Sequence, residues 1–366
     1  MDNSVDATIS TTGNVVEMSL DERFATIRRI GPGSIDKDEE VRMLLEKKAA
    51  PVCYVWCDPS PSVHIAQGIM MVLNVNKIVK AGCRVKILMA DWLICSYTQQ
   101  IRRCYMIEVW KAAGLELNGV EFMWLSDEIN RRSHEYWTLV IDFARNNTLG
   151  RMIRCWDKTF EYALTVYEKP ADPYDRPDVV ATMIFEPCMQ CAAVLLPKAD
   201  IWLSSMDHDE DLEDVRELTR EYCRDMKGEN RPIILSHNKL PNLIEDDEFG
   251  NIGYPAWAIF MEDREQNLSV KVRKAFCPEE VAQGNPCMEY IRYIVFPWFG
   301  HCEVPGKEEN GGGSRMFHKM EELITDYESG ALHSAEVKRA LEEALKKIMK
   351  TIAEFFGIQR GVNEKA

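Results

Sequence analysis

Three short apolar runs, each followed by an amphipathic stretch of helical period, constrain this chain more than any other feature. PVCYVWC, CRVKILMAD (Cys83–Asp91) and VEFMWL are apolar nearly throughout, which is the pattern of strands buried on both faces. Between them lie HIAQGIMMVLNVNKIVKAG and a helix ending at Gly114. In the first of these Ile65, Ile69, Val72, Leu73 and Ile78 fall on one side, with Gly82 just past the end. The pattern returns in ADIWLSS (strand), EDVRELTREYCRDMKG (helix) and RPIILSH (strand). Strands alternating with helices predict an α/β chain with a parallel sheet covered on both faces.

The predicted organisation has three parts. Residues 1–19 are polar and acidic, read as a short flexible tail without the basic and apolar regions of a signal peptide. Residues 20–250 form a nucleotide-fold domain, with a mostly helical insertion at about 130–197 that contains the polar loop EKPADPYDRPD. Residues 251–366 form a helical domain, in which KVRKAFCPEEV and MEYIRYIVFPWF read as helices and strand signal is weak. Its last helix is SAEVKRALEEALKKIMKTIAEFF, with Val337, Leu341, Ala344, Ile348, Ile352 and Phe355 on one face. An early helix over 35–48 has acidic residues at its start, Lys47 and Lys48 at its end, and Pro51 to stop it.

Composition narrows the function classes. A net charge of −15 disfavours non-specific nucleic-acid binding but leaves room for a local basic face. No apolar run reaches the 18 residues of a membrane span. Twelve cysteines without a secretion signal point to reduced thiols in the cytosol. Cys188 and Cys191 make a C-x-x-C, but with no second pair at zinc spacing they read as one buried helical turn and no metal site is expected.

In a doubly wound sheet, ligands bind outside the carboxyl ends of the strands at the switch point. YVWCDPSPSVHIAQG supplies such a corner: a strand ending near Cys57, a Pro-broken loop, then His64 at the mouth of a helix. A helix N-terminus offers unpaired N–H groups to an anion. His64 either donates to a phosphate there or caps and packs, and its position alone leaves both open.

VHIAQG resembles the first signature of class I aminoacyl-tRNA synthetases. KAGCRVKILMADW, VEFMWLSDEIN, EYWTLVIDFAR, EPCMQCA, LTREYC, RPIILSH, NPCMEYIRYIVFPWF and DYESGALH follow in an order similar to that of eukaryotic-type tyrosyl-tRNA synthetases, from about Leu20 to Phe356. The resemblance implies a Rossmann-like catalytic domain, a helical anticodon-binding domain, a dimer, and activation of tyrosine by ATP before transfer to tRNA. It assigns Tyr54, Asp58, His64, Gln67, Asp91, Gln190 and Asp207 to the ATP and tyrosine site, and His333 and Glu336 to anticodon reading.

The departures from the family pattern fall on that site. Against Y-D-G-F-E-P-S-G-x-x-H, Trp56 stands in place of the strand glycine and Pro61 in place of the loop glycine. Against K-M-S-K-S, between LPNL and AIFMED, the chain has Phe249, Gly250, Asn251, Ile252 and Gly253, so both lysines are missing. Removing even one preorganised charge donor from such a site costs about 10²–10³ in rate. Against Y-P-C-M-Q-C-A-D, Glu186 replaces the tyrosine and Ala193 the aspartate, and only Gln190 remains of the three polar groups that read substrate. After Met206 and Asp207, His208 opens the acidic run HDEDLED where basic residues are usual. These losses point to a non-catalytic relative that dimerises, with itself or with an active paralogue, or that binds tRNA. The alternative is an active tyrosine–tRNA ligase, or a ligase with a changed substrate; ATP is a cofactor only if the site still works.

Overall fold

The computed structural model describes residues 18–31, 38–57, 62–91, 98–152, 181–204, 219, 232–238, 240–244, 258–306 and 313–356. Five strands make one parallel sheet: β1 (Val52–Cys57), β2 (Arg84–Met89), β3 (Val120–Trp124), β4 (Ile201–Ser204) and β5 (Ile233–Ser236), in the order β3-β2-β1-β4-β5. The chain starts in the centre, moves outward to β3, and returns to the other side of β1. The switch point therefore lies between β1 and β4, and a Rossmann-like α/β sheet is what the sequence pattern predicts.

Alternation along β1 decides what each face carries. Cys53, Val55 and Cys57 join Val85, Ile87, Met89, Ile201, Leu203 and Leu235 in a core cluster on one face. Tyr54 and Trp56 join Leu88, Trp202 and Ile234 in a second cluster on the other. The helices that cover the first face are α1 (Leu20–Arg28), α2 (Asp38–Lys47), α3 (Met71–Lys80) and α4 (Thr98–Ala112). The second face is covered by α5 (Leu125–Arg131), α6 (Ser133–Asn146) and α7 (Ala181–Leu195).

Local chemistry sets the ends of these helices. Ser19 caps α1, its hydroxyl accepting from Glu22 N–H while the Glu22 carboxylate accepts from Ser19 N–H. Gly82 ends α3 in the left-handed region at φ +82°, where a side chain would be strained. Arg23 then ties this corner together, donating to the carbonyls of Ala81 and Ala49 at 2.6 and 2.8 Å.

The remaining elements are α8 (Glu265–Lys274), α9 (Pro286–Tyr290), α10 (Phe296–Phe299), β6 (Cys302–Val304), β7 (Arg315–Phe317), α11 (Met320–Glu328) and α12 (Ser334–Phe355). The apolar face predicted for the last helix is buried at Val337, Leu341, Ala344, Ile348 and Ile352, while Phe355 is exposed. The core below the sheet runs on without interruption into α12, and Phe356 meets Tyr105 of α4 at 6.1 Å between ring centroids.

Two expectations are corrected here. KVRKAFCPEEV is not one helix: α8 stops at Lys274, and a turn with extended Ala275 follows. Pro278 restricts the residue before it to extended backbone, so a helix could not run through Cys277. The weak strand signal after Pro255 conceals an antiparallel pair, β6 with β7, in which Cys302 faces Phe317. Three-residue strands carry too few alternations to be read from periodicity. MEYIRYIVFPWF is helical as expected, with a π-helical turn at Ile291–Val295 between α9 and α10. Of the helix read in EDVRELTREYCRDMKG only Thr219 is described, and the loop EKPADPYDRPD lies outside the described residues.

Candidate functional site

The corner after β1 is built by two segments far apart in sequence. After Ser62 and Val63, the chain turns into a π-helical segment, Ala66–Met70, that runs directly into α3. AIFMED lies against it. Ile65 N–H donates to the Ile259 carbonyl, Met261 N–H to the Val63 carbonyl, and Val63 N–H to the Glu262 carboxylate at 3.2 Å. Gly68 permits the approach: a Cβ there would sit 2.6 Å from the Met261 sulfur.

His64 is buried at this junction. Its Nδ1 accepts from Ala66 N–H at 3.1 Å, so the ring proton resides on Nε2. Its ring meets Phe260 edge-on, with centroids 5.8 Å apart. Through Nδ1 and the ring face, His64 caps and packs this junction. Gln67 assists, its Oε1 accepting from His64 N–H at 3.3 Å and its backbone carbonyl accepting from the Trp110 indole at 2.8 Å.

Asp91, at the end of β2, accepts from both the N–H and the hydroxyl of Ser126, at 2.8 and 2.5 Å. Ser126 lies in the first turn of α5, so this carboxylate caps a helix that packs on the second face.

On that face, between β1, β4 and α7, Trp56 and Trp202 are both buried, with ring centroids 5.7 Å apart. Tyr54 sits directly opposite Trp202 in the strand register. Its hydroxyl is held in protonated form by burial, and the Lys86 ammonium stands 5.9 Å from its ring. Ala193 is wholly buried in the same cluster and brings no polar group. Glu186 and Gln190 lie one turn apart on α7, the amide donating to the carboxylate at 3.3 Å. Burial raises the Glu186 pKa, and the Gln190 hydrogen bond pulls against it.

Cys188 contacts the Met152 sulfur at 3.4 Å, and the Thr219 hydroxyl donates to Cys191 at 3.2 Å. Burial pushes the Cys188 thiol up to about 11. Among the described residues no cluster of three or more metal-ligating side chains occurs. Asp58, Pro61, Asp207 and Phe249 to Gly253 lie outside the described residues. His333 is exposed before α12, and its backbone N–H donates to the Glu336 carboxylate at 3.0 Å, which makes Glu336 a capping carboxylate.

Two features escaped the sequence reading. Trp202 is one: in ADIWLSS it reads as an ordinary core residue, and only the pairing of β1 with β4 brings it to Trp56. The other is a buried ion pair that anchors AIFMED. Lys271 Nζ lies 2.8 Å from the Asp263 carboxylate and 2.8 Å from the Ala258 carbonyl, beneath the Phe260 ring. An Asp and a Lys eight residues apart around a helix start give no periodic signal of such a pair.

A family model described as tRNA synthetases class I (W and Y) matches residues 46–350. The cytoplasmic tyrosine–tRNA ligase 1 of Arabidopsis thaliana is 42% identical over 361 residues, covering 96% of this chain and 89% of that protein. The cytoplasmic tyrosine–tRNA ligase 2 of the same plant is 40% identical over 365 residues, covering 97% of this chain but 46% of that protein. Among solved structures, the Leishmania major tyrosyl-tRNA synthetase in complex with fisetin superposes with a TM-score of 0.75 at 30% identity, over 93% of this chain and 55% of that one. The Archaeoglobus fulgidus tyrosyl-tRNA synthetase complexed with L-tyrosine gives 0.74 at 25% identity, over 93% of this chain and 100% of that one.

Proposed function

The chain belongs to the tyrosyl-tRNA synthetase family of class I, and on that premise we propose that it is a member that no longer activates tyrosine and acts through binding. One observation carries the reading: the Trp56 indole, packed on Trp202, fills the second face of the sheet at the carboxyl end of β1. A buried aromatic side chain covers about 150–250 Å², which is what a tyrosine ring would need to cover in its place.

Three further features support the same reading. The K-M-S-K-S lysines are replaced by Phe249 and Ile252, so the cations that would meet the pyrophosphate are gone from the sequence. Asp91 and His64 are both engaged in capping. Glu186 and Ala193 replace groups that in the family pattern read a phenol, and a site without those buried partners loses its discrimination.

The remaining assignments form part of the proposal. Residues 20–250 make the nucleotide-fold domain and 251–366 the anticodon-binding-like domain. Tyr54, Asp58, His64, Gln67, Asp91, Gln190 and Asp207 are the remnant of the ATP and tyrosine site. The partners are a second copy or an active paralogue, and tRNA through the surface of His333 and Glu336. No helix among the described residues is long and apolar enough to cross a membrane, and a cytoplasmic location follows from the likeness to a cytoplasmic ligase.

A second reading is an active tyrosine–tRNA ligase. Identity of 42% over nearly the whole chain supports it at least as well as it supports the first. Thermal unfolding with tyrosine and ATP separates the two. The first reading expects no rise in midpoint with either ligand; a saturable rise with both ligands together overturns it.

A further inference from the structure

Gly300 ends α10 in the left-handed region at φ +75°, its N–H donating to the Phe296 carbonyl at 2.8 Å, and turns the chain into β6. His301 is the first residue past that turn. On the facing strand, His318 is the first residue after β7 and stands two before α11. Its backbone N–H donates to the Glu322 carboxylate at 3.4 Å. Each histidine is therefore carried by backbone held between a strand and a helix, so little chain freedom is left to lose when both side chains meet one ligand.

The ladder fixes the side on which they lie. β6 and β7 pair with Cys302 opposite Phe317, Glu303 opposite Met316 and Val304 opposite Arg315. One step further out, the same register sets His301 opposite His318. Directly opposed residues share a face, and faces alternate along the pair. Cys302 and Phe317 are buried, at 1% and 5% exposure, so the two histidines belong to the outer face with Glu303 and Met316. His301 is half-buried there and His318 is exposed. Their ring centroids are 6.2 Å apart, and the Phe299 ring lies 6.1 Å from that of His301.

We propose that His301 and His318 form a two-histidine clip for a transition-metal cation of the nickel, copper and zinc class. Imidazole nitrogen suits these cations, whereas magnesium and calcium take oxygen. A cation bound about 2.0–2.1 Å from one nitrogen of each ring, at a near-tetrahedral angle, sets the centroids about 5 Å apart. The observed separation leaves about 1 Å to close, which rotation about the side-chain bonds supplies at an exposed edge. Glu303 shares the face, but its carboxylate accepts from Lys347 at 3.1 Å, and hydrogen bonds from Lys347 and Ser314 hold its carboxyl below the usual range. Water then completes the coordination around the two protein nitrogens. The bound cation ties the α10–β6 corner to the β7–α11 corner. Neither histidine belongs to the corner after β1, so the clip is independent of whether the chain activates tyrosine.

The test uses the full chain without a tag, titrated with nickel chloride and, separately, with magnesium chloride in a calorimeter. Binding is expected with nickel and not with magnesium. Two linked ligands bind about 10²–10⁴ times more tightly than either alone, so His301→Ala and His318→Ala should each weaken nickel binding about 10²-fold or more. His134→Ala, on the exposed start of α6, should leave it unchanged. In the native chain nickel should also shield both histidines from diethyl pyrocarbonate, read by mass in the tryptic peptides 293–307 and 316–319. That readout needs no variant to fold. No heat with nickel, nickel binding that survives both substitutions, or modification of His301 and His318 undiminished by nickel overturns the proposal.

Discussion

Trp56 and Trp202 stand on one face of two neighbouring parallel strands, their ring centroids 5.7 Å apart and their planes inclined at 51°. A tilted pair of this kind adds about 0.5–1.5 kcal/mol beyond the area that it buries. Trp202→Ala should therefore lower stability by about 3–5 kcal/mol, as for other buried large-to-small changes. Urea unfolding followed by circular dichroism measures this. A loss under about 1 kcal/mol would mean that the indole is not packed as described.

Lys271 and Asp263 form an ion pair in which both side chains are nearly out of solvent, at 8% and 0% exposure. Lys271→Met leaves the Asp263 charge without its cation, and breaking such a pair from one side costs about 3–5 kcal/mol. The double variant Lys271→Met with Asp263→Leu should recover part of that loss, since it leaves no buried charge. Chemical unfolding of the three proteins checks the order, and a double variant no better than the single one would contradict it.

Asp91 receives two hydrogen bonds from Ser126 and so caps α5. Asp91→Ala should cost about 1–2 kcal/mol. Ser126→Ala should cost less, because its N–H bond to Asp91 survives. The same unfolding assay reads both, and an equal or larger loss for Ser126→Ala would assign the stabilisation to the hydroxyl alone.

Glu186 is a carboxyl whose pKa is raised by burial, with the Gln190 hydrogen bond opposing. A group of this sign holds its proton more tightly when folded. Its contribution is complete below the unfolded value, near 4.5, and is lost as pH rises through the folded value. Glu186→Gln should thus raise the thermal midpoint at pH 7, with the gain shrinking to nothing as pH falls below about 4.5. A gain that is the same at both pH values would contradict the assignment to ionisation.

The sheet was legible in the sequence because strands buried on both faces are apolar nearly throughout, as VCYVWC is throughout and RVKILM is from Ile87 onward. The helix-stop at Gly82 was legible because a left-handed residue favours glycine. Single strands of the corner were readable, but not their meeting. Nothing in VHIAQG or AIFMED alone announces that Met261 lies against Gly68, or that β4 delivers Trp202 to Trp56. Those contacts depend on the sheet order, which brings distant segments together. β6 and β7 were missed because three residues cannot display a period, and the helix drawn through KVRKAFCPEEV ignored the restriction that Pro278 places on Cys277.

Tyrosine-dependent exchange of pyrophosphate into ATP tests the central claim most directly, measured on the purified chain beside an active tyrosyl-tRNA synthetase. On the proposed reading, with Trp56 in place of the strand glycine and the signature lysines absent from the sequence, the predicted result is no exchange above the background without tyrosine. Exchange that depends on tyrosine and saturates with it would contradict the account, and would make the chain an active ligase whose charge donors lie elsewhere.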